Sequence, residues 1–192
     1  MKTPTYITVY DNALSYSTCN KIIEYIDSQD LVRGTYGNGK LDLSQKAAWQ
    51  VNDTHFNNNH WVGDAIVETL RVCTNKYRQE FPQLNVVNRW TLMDSYTLKK
   101  FDPGEAYFAS HCENGGNPSS WTGVPVNRML VWMIYLNTVT DGGGTMFDQY
   151  DFITDAIQGR CVLWPAYWTH FHRGIVSDTQ TKYIATGWFG YG

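Results

Sequence analysis

The triplet His111-Cys112-Glu113 places an imidazole and a carboxylate two residues apart. The preceding run, 105–110, has the composition of a strand, and in a strand the side chains at i and i+2 point to one face. We therefore expect His111 and Glu113 to converge on one cation, with Cys112 directed the other way into packing. One such triplet is a weak signal, so its meaning depends on the other ligands that the chain offers.

A second imidazole is available from His172 or from His170, which would lie on the same side of an extended segment. Two histidines and one carboxylate form the facial triad of non-haem Fe(II) oxygenases, which leaves three coordination positions open. A structural zinc site needs four nitrogen or sulfur ligands, which this set does not supply. Lys182 adjoins the apolar run 183–185, and it is either an ordinary surface lysine or the partner of a buried carboxylate.

The elements that must position these residues fall into two halves. Helices are predicted over 17–30, capped by Ser17, and over 59–81, where apolar residues recur at helical spacing until Pro82. After Pro82 the chain breaks into short alternating or apolar runs between turn residues, a pattern typical of a β-sandwich, jelly roll or barrel. These runs are 90–101, 105–110, 128–137, 145–147, 160–164 and 182–189.

The composition excludes several classes of protein. A chain of 192 residues predicts one domain, and 15% aromatic with 17% charged residues argues against disorder. A net charge of −3 without a basic patch predicts no nucleic-acid partner. The longest apolar run, 129–136, is too short to cross a membrane. Four scattered cysteines and an N-terminus without a signal peptide predict reduced thiols in the cytoplasm, and His55 and His60 are interpreted as surface or structural residues.

Several short motifs occur in a fixed order along the chain, and the ordered set carries a resemblance to a known family. The set contains Val-Tyr-Asp-Asn-Ala-Leu-Ser at 9–15, Phe-Asp-Pro-Gly-Glu-Ala-Tyr at 101–107, Tyr-Leu-Asn at 135–137, Gly-Gly-Thr-Met-Phe at 143–147, Trp-Pro at 164–165 and Lys-Tyr at 182–183. By these motifs and their spacing, the chain resembles a 2-oxoglutarate- and Fe(II)-dependent oxygenase of the prolyl 4-hydroxylase type over essentially its whole length.

The resemblance implies an α+β, mainly β fold: a double-stranded β-helix, or jelly roll, with two buttressing N-terminal helices. Residues 1–192 would form a single oxygenase domain, in which 1–82 give helical support and 83–192 form the core. No separate substrate domain fits in this length, so the loops 33–46 and 114–127 are candidate lids over the substrate.

The resemblance also implies roles for residues of this chain. The iron ligands would be His111, Glu113 and His172, and the C5 carboxylate of 2-oxoglutarate would be bound by Lys182 and Tyr135. The resemblance favours His172 over His170, because the ten-residue spacing from His172 to Lys182 matches the family. From its place in the predicted strand 128–137, Tyr135 is equally well a core residue.

Two positions depart from the family's pattern. Glu113 stands where Asp is usual, so the strand end is expected to lie one methylene further from the metal. Because the carboxylate is kept, halogenation is not indicated. Phe101 stands where some relatives have a tyrosine near the cosubstrate, so one hydrogen bond to the cosubstrate is expected to be missing.

The implied activity is hydroxylation coupled to decarboxylation of 2-oxoglutarate to succinate and CO2, with Fe(II), O2 and, as a further cofactor, ascorbate. The expected substrate is a prolyl residue in a peptide or protein, with a small molecule as the alternative, and the oligomeric state is not predicted. Two rival interpretations stay open. A cupin-like metal enzyme without 2-oxoglutarate would add a ligand such as His170 and would not need Lys182. A non-enzymatic jelly-roll binding module would leave Lys182 exposed.

Overall fold

Two helices and two antiparallel sheets make up the computed structural model of the chain, which describes residues 5–35, 39–52, 54–58, 60–114 and 127–192. The helices are α1 (Tyr16–Asp27) and α2 (Trp61–Glu80). The strands are β1 (Thr8–Tyr10), β2 (Val32–Arg33), β3 (Trp49–Gln50), β4 (Trp90–Phe101), β5 (Arg128–Tyr135), β6 (Thr145–Phe147), β7 (Phe152–Thr154), β8 (Cys161–Pro165), β9 (His172–Gly174) and β10 (Lys182–Tyr191). The mainly β class with two helices, expected from the sequence, is confirmed. No helix in the described part of the chain is long and apolar enough to span a membrane.

Both helices form close to where the sequence predicts them, because each carries one apolar face. Ser15, rather than the predicted Ser17, caps α1, since its side chain accepts a hydrogen bond from the Thr18 N–H (3.1 Å). The helix α2 ends at Glu80, two residues before Pro82. The buried faces of the two helices consist of Cys19, Ile22 and Ile26 on α1 and Val62, Ile66, Leu70, Cys73 and Tyr77 on α2.

The larger sheet has the strand order β1-β8-β5-β10-β4-β3-β2, and the smaller sheet has the order β7-β6-β9. Side chains of directly paired residues lie on the same face of a sheet, so the register fixes two faces. One face of the larger sheet packs against α1 and α2. The other face, called here the inner face, packs against the smaller sheet and carries Phe101, Tyr135 and Ile184.

The run 105–110, predicted as a strand, does not form one. Tyr107 makes an isolated bridge to Lys46, and His111 makes another to His172. Backbone groups in this part of the chain bond to two different segments, one before α2 and one in β9, so no ladder of successive pairs builds up. His111 is therefore held by a single bridge rather than by the end of a strand.

Candidate metal centre

Two segments that are distant in sequence meet at His111 and His172, the first residue of β9. In the bridge between them, each backbone N–H donates to the other residue's carbonyl oxygen (3.0 and 2.9 Å). Glu113 Oε1 lies 3.5 Å from His111 Nε2 and 3.6 Å from His172 Nε2. One ligand atom from each of the three residues lies within 4.8 Å of the others, so the structure brings the three predicted ligands together.

Both imidazoles are oriented by backbone carbonyls. His111 Nδ1 lies 2.9 Å from the Ala109 carbonyl oxygen, and His172 Nδ1 lies 3.0 Å from the His170 carbonyl oxygen. Because a carbonyl oxygen only accepts hydrogen bonds, each Nδ1 carries the proton and donates. In the neutral ring the Nε2 lone pair is then free, and it points toward the Glu113 carboxylate. This is the usual way in which proteins prepare histidines as metal ligands.

The Glu113 carboxylate is divided between two sets of partners. Its Oε2 accepts hydrogen bonds from Trp188 Nε1 (2.9 Å) and Arg128 Nη1 (3.1 Å), which leaves Oε1 directed at the two histidines. The Arg128 guanidinium also stacks on the Trp188 ring, 3.6 Å from its centroid. Sequence reasoning did not identify Arg128 or Trp188. The available signal was strand alternation, which places Trp188 on the same face of β10 as Lys182.

The protonation states at the centre suit a cation. Burial raises the pKa of Glu113, but the neighbouring His111 and His172 side chains outweigh burial and hold that pKa well below its usual range. Burial also lowers the pKa of His111, which favours the neutral ring that binds metal. Two neutral imidazoles and one ionised carboxylate are the donor set of the facial triad, so these residues fit Fe(II).

His170 does not join the cluster. Residues 168–170 form a turn of 3-10 helix, so His170 and His172 do not share the extended segment that the sequence predicts. His170 Nε2 lies 2.7 Å from the Thr5 carbonyl oxygen, and its Nδ1 lies 2.8 Å from Thr169 Oγ1. The side chain is thereby used to attach the N-terminal segment, and it does not add a fourth ligand to the centre.

We expect His170→Ala to leave metal binding unchanged while lowering the free energy of unfolding by about 1–3 kcal/mol, because a buried hydrogen-bonded ring is lost. A metal titration and a thermal melt of the same variant separate the two effects. Loss of stoichiometric metal binding in this variant would contradict the geometry described above.

Lys182 begins β10 and is only 5% exposed, so it is not a surface lysine. Its Nζ lies 4.5 Å from the centroid of the Phe101 ring, the residue directly paired with it. Burial and, after it, the charge of Lys99 lower the pKa of Lys182 to about 8. Among the described residues Lys182 forms no ion pair with a carboxylate. A buried ammonium without a counter-charge is destabilising, and an anion bound beside it would relieve that cost.

The Tyr135 hydroxyl is fully buried and lies 2.8 Å from Thr145 Oγ1 and 3.3 Å from the Thr154 carbonyl oxygen. It is already hydrogen-bonded within the chain, so its predicted contact with 2-oxoglutarate stays a prediction. Thr154 Oγ1, on the residue that accepts from Tyr135, is buried without a hydrogen-bond partner. Most of the predicted lid 114–127 and three residues of the predicted lid 33–46 lie outside the described residues.

Solved structures with the same fold as this chain include prolyl hydroxylases and an oxidoreductase of the 2OG-Fe(II) oxygenase family. One is the viral collagen prolyl hydroxylase of Paramecium bursaria Chlorella virus-1 in its 2-oxoglutarate complex, with 18% identity, a TM-score of 0.71 and coverage of 97% of this chain and 96% of that chain. A Pseudomonas putida prolyl 4-hydroxylase has 14% identity, a TM-score of 0.67 and coverage of 98% and 94%.

A third similar structure is a Trichoplax adhaerens prolyl hydroxylase in complex with a hypoxia-inducible-factor peptide fragment, with 14% identity, a TM-score of 0.69 and coverage of 97% of this chain and 84% of that chain. No protein-family model and no curated protein sequence matches the chain. At these identities the similarity establishes the fold, and the resemblance found in the sequence motifs is confirmed at that level.

Proposed function

We propose that the protein is an Fe(II)- and 2-oxoglutarate-dependent hydroxylase. The observation that carries the proposal is the convergence of His111 Nε2 and His172 Nε2 on one oxygen of Glu113, in a fold shared with 2-oxoglutarate oxygenases. A double-stranded β-helix arrangement of the two sheets belongs to the same proposal. We also propose that residues 1–192 form a single domain. In it, the strands β1, β2 and β3 from residues 1–82 extend the larger sheet of the core formed by residues 83–192.

The chain's own residues have three tasks in this reaction. His111, Glu113 and His172 would hold Fe(II) and leave three coordination positions for small ligands. Lys182 would bind the C5 carboxylate of 2-oxoglutarate, since it is a buried cation without a carboxylate partner among the described residues. Bound Fe(II), 2-oxoglutarate and O2 supply the oxidising power for hydroxylation, with release of succinate and CO2. The aromatic rings around the ligands exclude water from the centre: Tyr107 stacks on His111 at 3.7 Å, and Trp164 packs edge-on against His172.

The substrate we propose is a prolyl residue in a peptide or protein, in line with the prolyl hydroxylases among the similar structures, one of which was solved with a peptide fragment. The two rival interpretations are less well supported. A cupin-like enzyme would use His170 as an added ligand, but that side chain is bonded to Thr5 and Thr169. A binding module would leave Lys182 exposed, and it is buried.

We expect Fe(II), or Mn(II) under nitrogen, to raise the melting temperature, and 2-oxoglutarate to raise it further only when the metal is present, because ligands that bind the folded state alone stabilise it. Glutarate is the matched control, since it has both carboxylates but lacks the keto oxygen that chelates a metal. With O2 and Fe(II), succinate and CO2 should form, and prolyl peptides should increase the rate. Stabilisation by glutarate equal to that by 2-oxoglutarate, without succinate formation, would contradict the proposal.

A further inference from the structure

Three lysines contribute to the interior that holds the metal centre, although the proposed cosubstrate needs only one of them. Lys182 and Lys99 both lie on the inner face, because Lys182 pairs with Phe101 and Lys99 pairs with Ile184. The neighbouring Lys100 lies on the opposite face, where its Nζ forms an ion pair with Asp27 (2.8 Å). Strand alternation thus separates one ordinary surface lysine from two that point inward.

The third lysine, Lys46, is 6% exposed and approaches the centre from the other side. Its Nζ donates to the Thr35 carbonyl oxygen (2.7 Å) and lies 5.5 Å from the centroid of the Tyr107 ring, which stacks on His111. A Cβ atom at Gly34 would lie 3.2 Å from Lys46 Nζ, so the glycine provides the space that the ammonium occupies.

The charges around the centre do not balance. Burial and the charge of Lys99 lower the pKa of Lys46 to about 7, and burial lowers the pKa of Lys99. The Glu113 charge opposes both shifts, so the two lysines share the electrostatic environment of the metal centre. Glu113 is already bonded to Arg128. In the described part of the chain neither Lys46 nor Lys99 forms an ion pair with a carboxylate. A bound 2-oxoglutarate would engage Lys182 with one carboxylate and the metal with the other, which leaves two cations uncompensated.

We propose that the substrate carries a carboxylate, and that Lys46 and Lys99 bind it while the target C–H bond faces the metal. The inference rests on the proposed function and names its substrate class. A neutral prolyl peptide would leave these two inward-facing lysines without a counter-charge, whereas a carboxylate beside the target gives each a charge-assisted hydrogen bond. The carboxylate can belong to an acidic residue next to the target in a peptide or to the target amino acid itself.

Two matched pairs of probes test the proposal by calorimetry with Mn(II) and saturating 2-oxoglutarate under nitrogen. N-acetylproline against N-acetylprolinamide probes a carboxylate on the target, and acetyl-Pro-Glu-amide against acetyl-Pro-Gln-amide probes an adjacent acidic residue. In at least one pair, the carboxylate member should bind at least about tenfold more tightly. In Lys46→Met and Lys99→Met this preference should fall below about threefold, while Lys100→Met, the control on the opposite face, should retain it.

The outcomes distinguish failure of this inference from failure of the proposed function. Absence of 2-oxoglutarate binding to the wild-type protein with Mn(II) would overturn both. Normal 2-oxoglutarate binding without a carboxylate preference in either pair, or with a preference that survives in both lysine variants, would overturn this inference alone. Weaker 2-oxoglutarate binding in Lys46→Met or Lys99→Met would also overturn it, since those lysines would then bind the cosubstrate. Thermal melts check that each variant remains folded.

Discussion

Alanine at His111, Glu113 or His172 is expected to weaken Fe(II) binding by more than about 100-fold and to abolish formation of succinate. The loss of a residue that merely orients a ligand already costs about 10–100-fold in metal affinity, so the loss of one of three protein ligands should cost more. Titration with Mn(II) under nitrogen and a succinate assay with Fe(II) measure the two effects separately.

The control for these variants is His55→Ala. His55 is also a histidine beside a carboxylate, with its Nδ1 3.0 Å from Asp94 Oδ2, but both side chains are exposed and lie outside the cluster. This variant should bind metal and turn over like the wild type. Wild-type succinate formation in any one of the three cluster variants would show that the ligand assignment is wrong.

Local patterns in the sequence were sufficient to predict the two helices, the long strands and the ligand types. The helices follow from apolar spacing and a stop at Pro82, and the structure places them at Tyr16–Asp27 and Trp61–Glu80. The triplet around His111 and Glu113 follows from residue chemistry. The strand expected at 105–110 does not form because its backbone partners lie in two separate segments, and local composition carries no information about distant partners.

Features that depend on long-range register could not be predicted from the sequence. Arg128 and Trp188 meet at Glu113 only because β5 and β10 are neighbours in the larger sheet. Lys99 can be placed on the same face as Lys182 only once the register between β4 and β10 is known. The ten-residue spacing to Lys182 favoured His172 over His170, but the 3-10 turn at 168–170 that separates the two histidines was not predicted.

Lys182→Met is expected to weaken 2-oxoglutarate binding by about 100-fold while leaving metal binding intact. Breaking a buried charge pair by removing one partner costs about 3–5 kcal/mol, and part of that cost is relieved here because the freed carboxylate can rehydrate. Lys100→Met is the matched control, because Lys100 lies on the opposite face and pairs with Asp27. An unchanged 2-oxoglutarate affinity in Lys182→Met would exclude Lys182 as the C5-carboxylate partner.

The pH dependence of 2-oxoglutarate binding is a second test of Lys182 as the C5-carboxylate partner. A lysine that only filled space would not produce this dependence. Burial and the charge of Lys99 lower the pKa of Lys182 to about 8, and 2-oxoglutarate needs the charged form, so wild-type affinity should fall above pH 8 by about tenfold per pH unit. Lys182→Arg stays charged and should bind with an affinity that hardly changes over that range.

Without ligand, the folded chain binds fewer protons at Lys182 than the unfolded chain between about pH 8 and the ordinary lysine pKa. Wild-type stability relative to Lys182→Met should therefore be lowest below pH 8 and should rise with pH in that interval, and thermal melts across the range measure it.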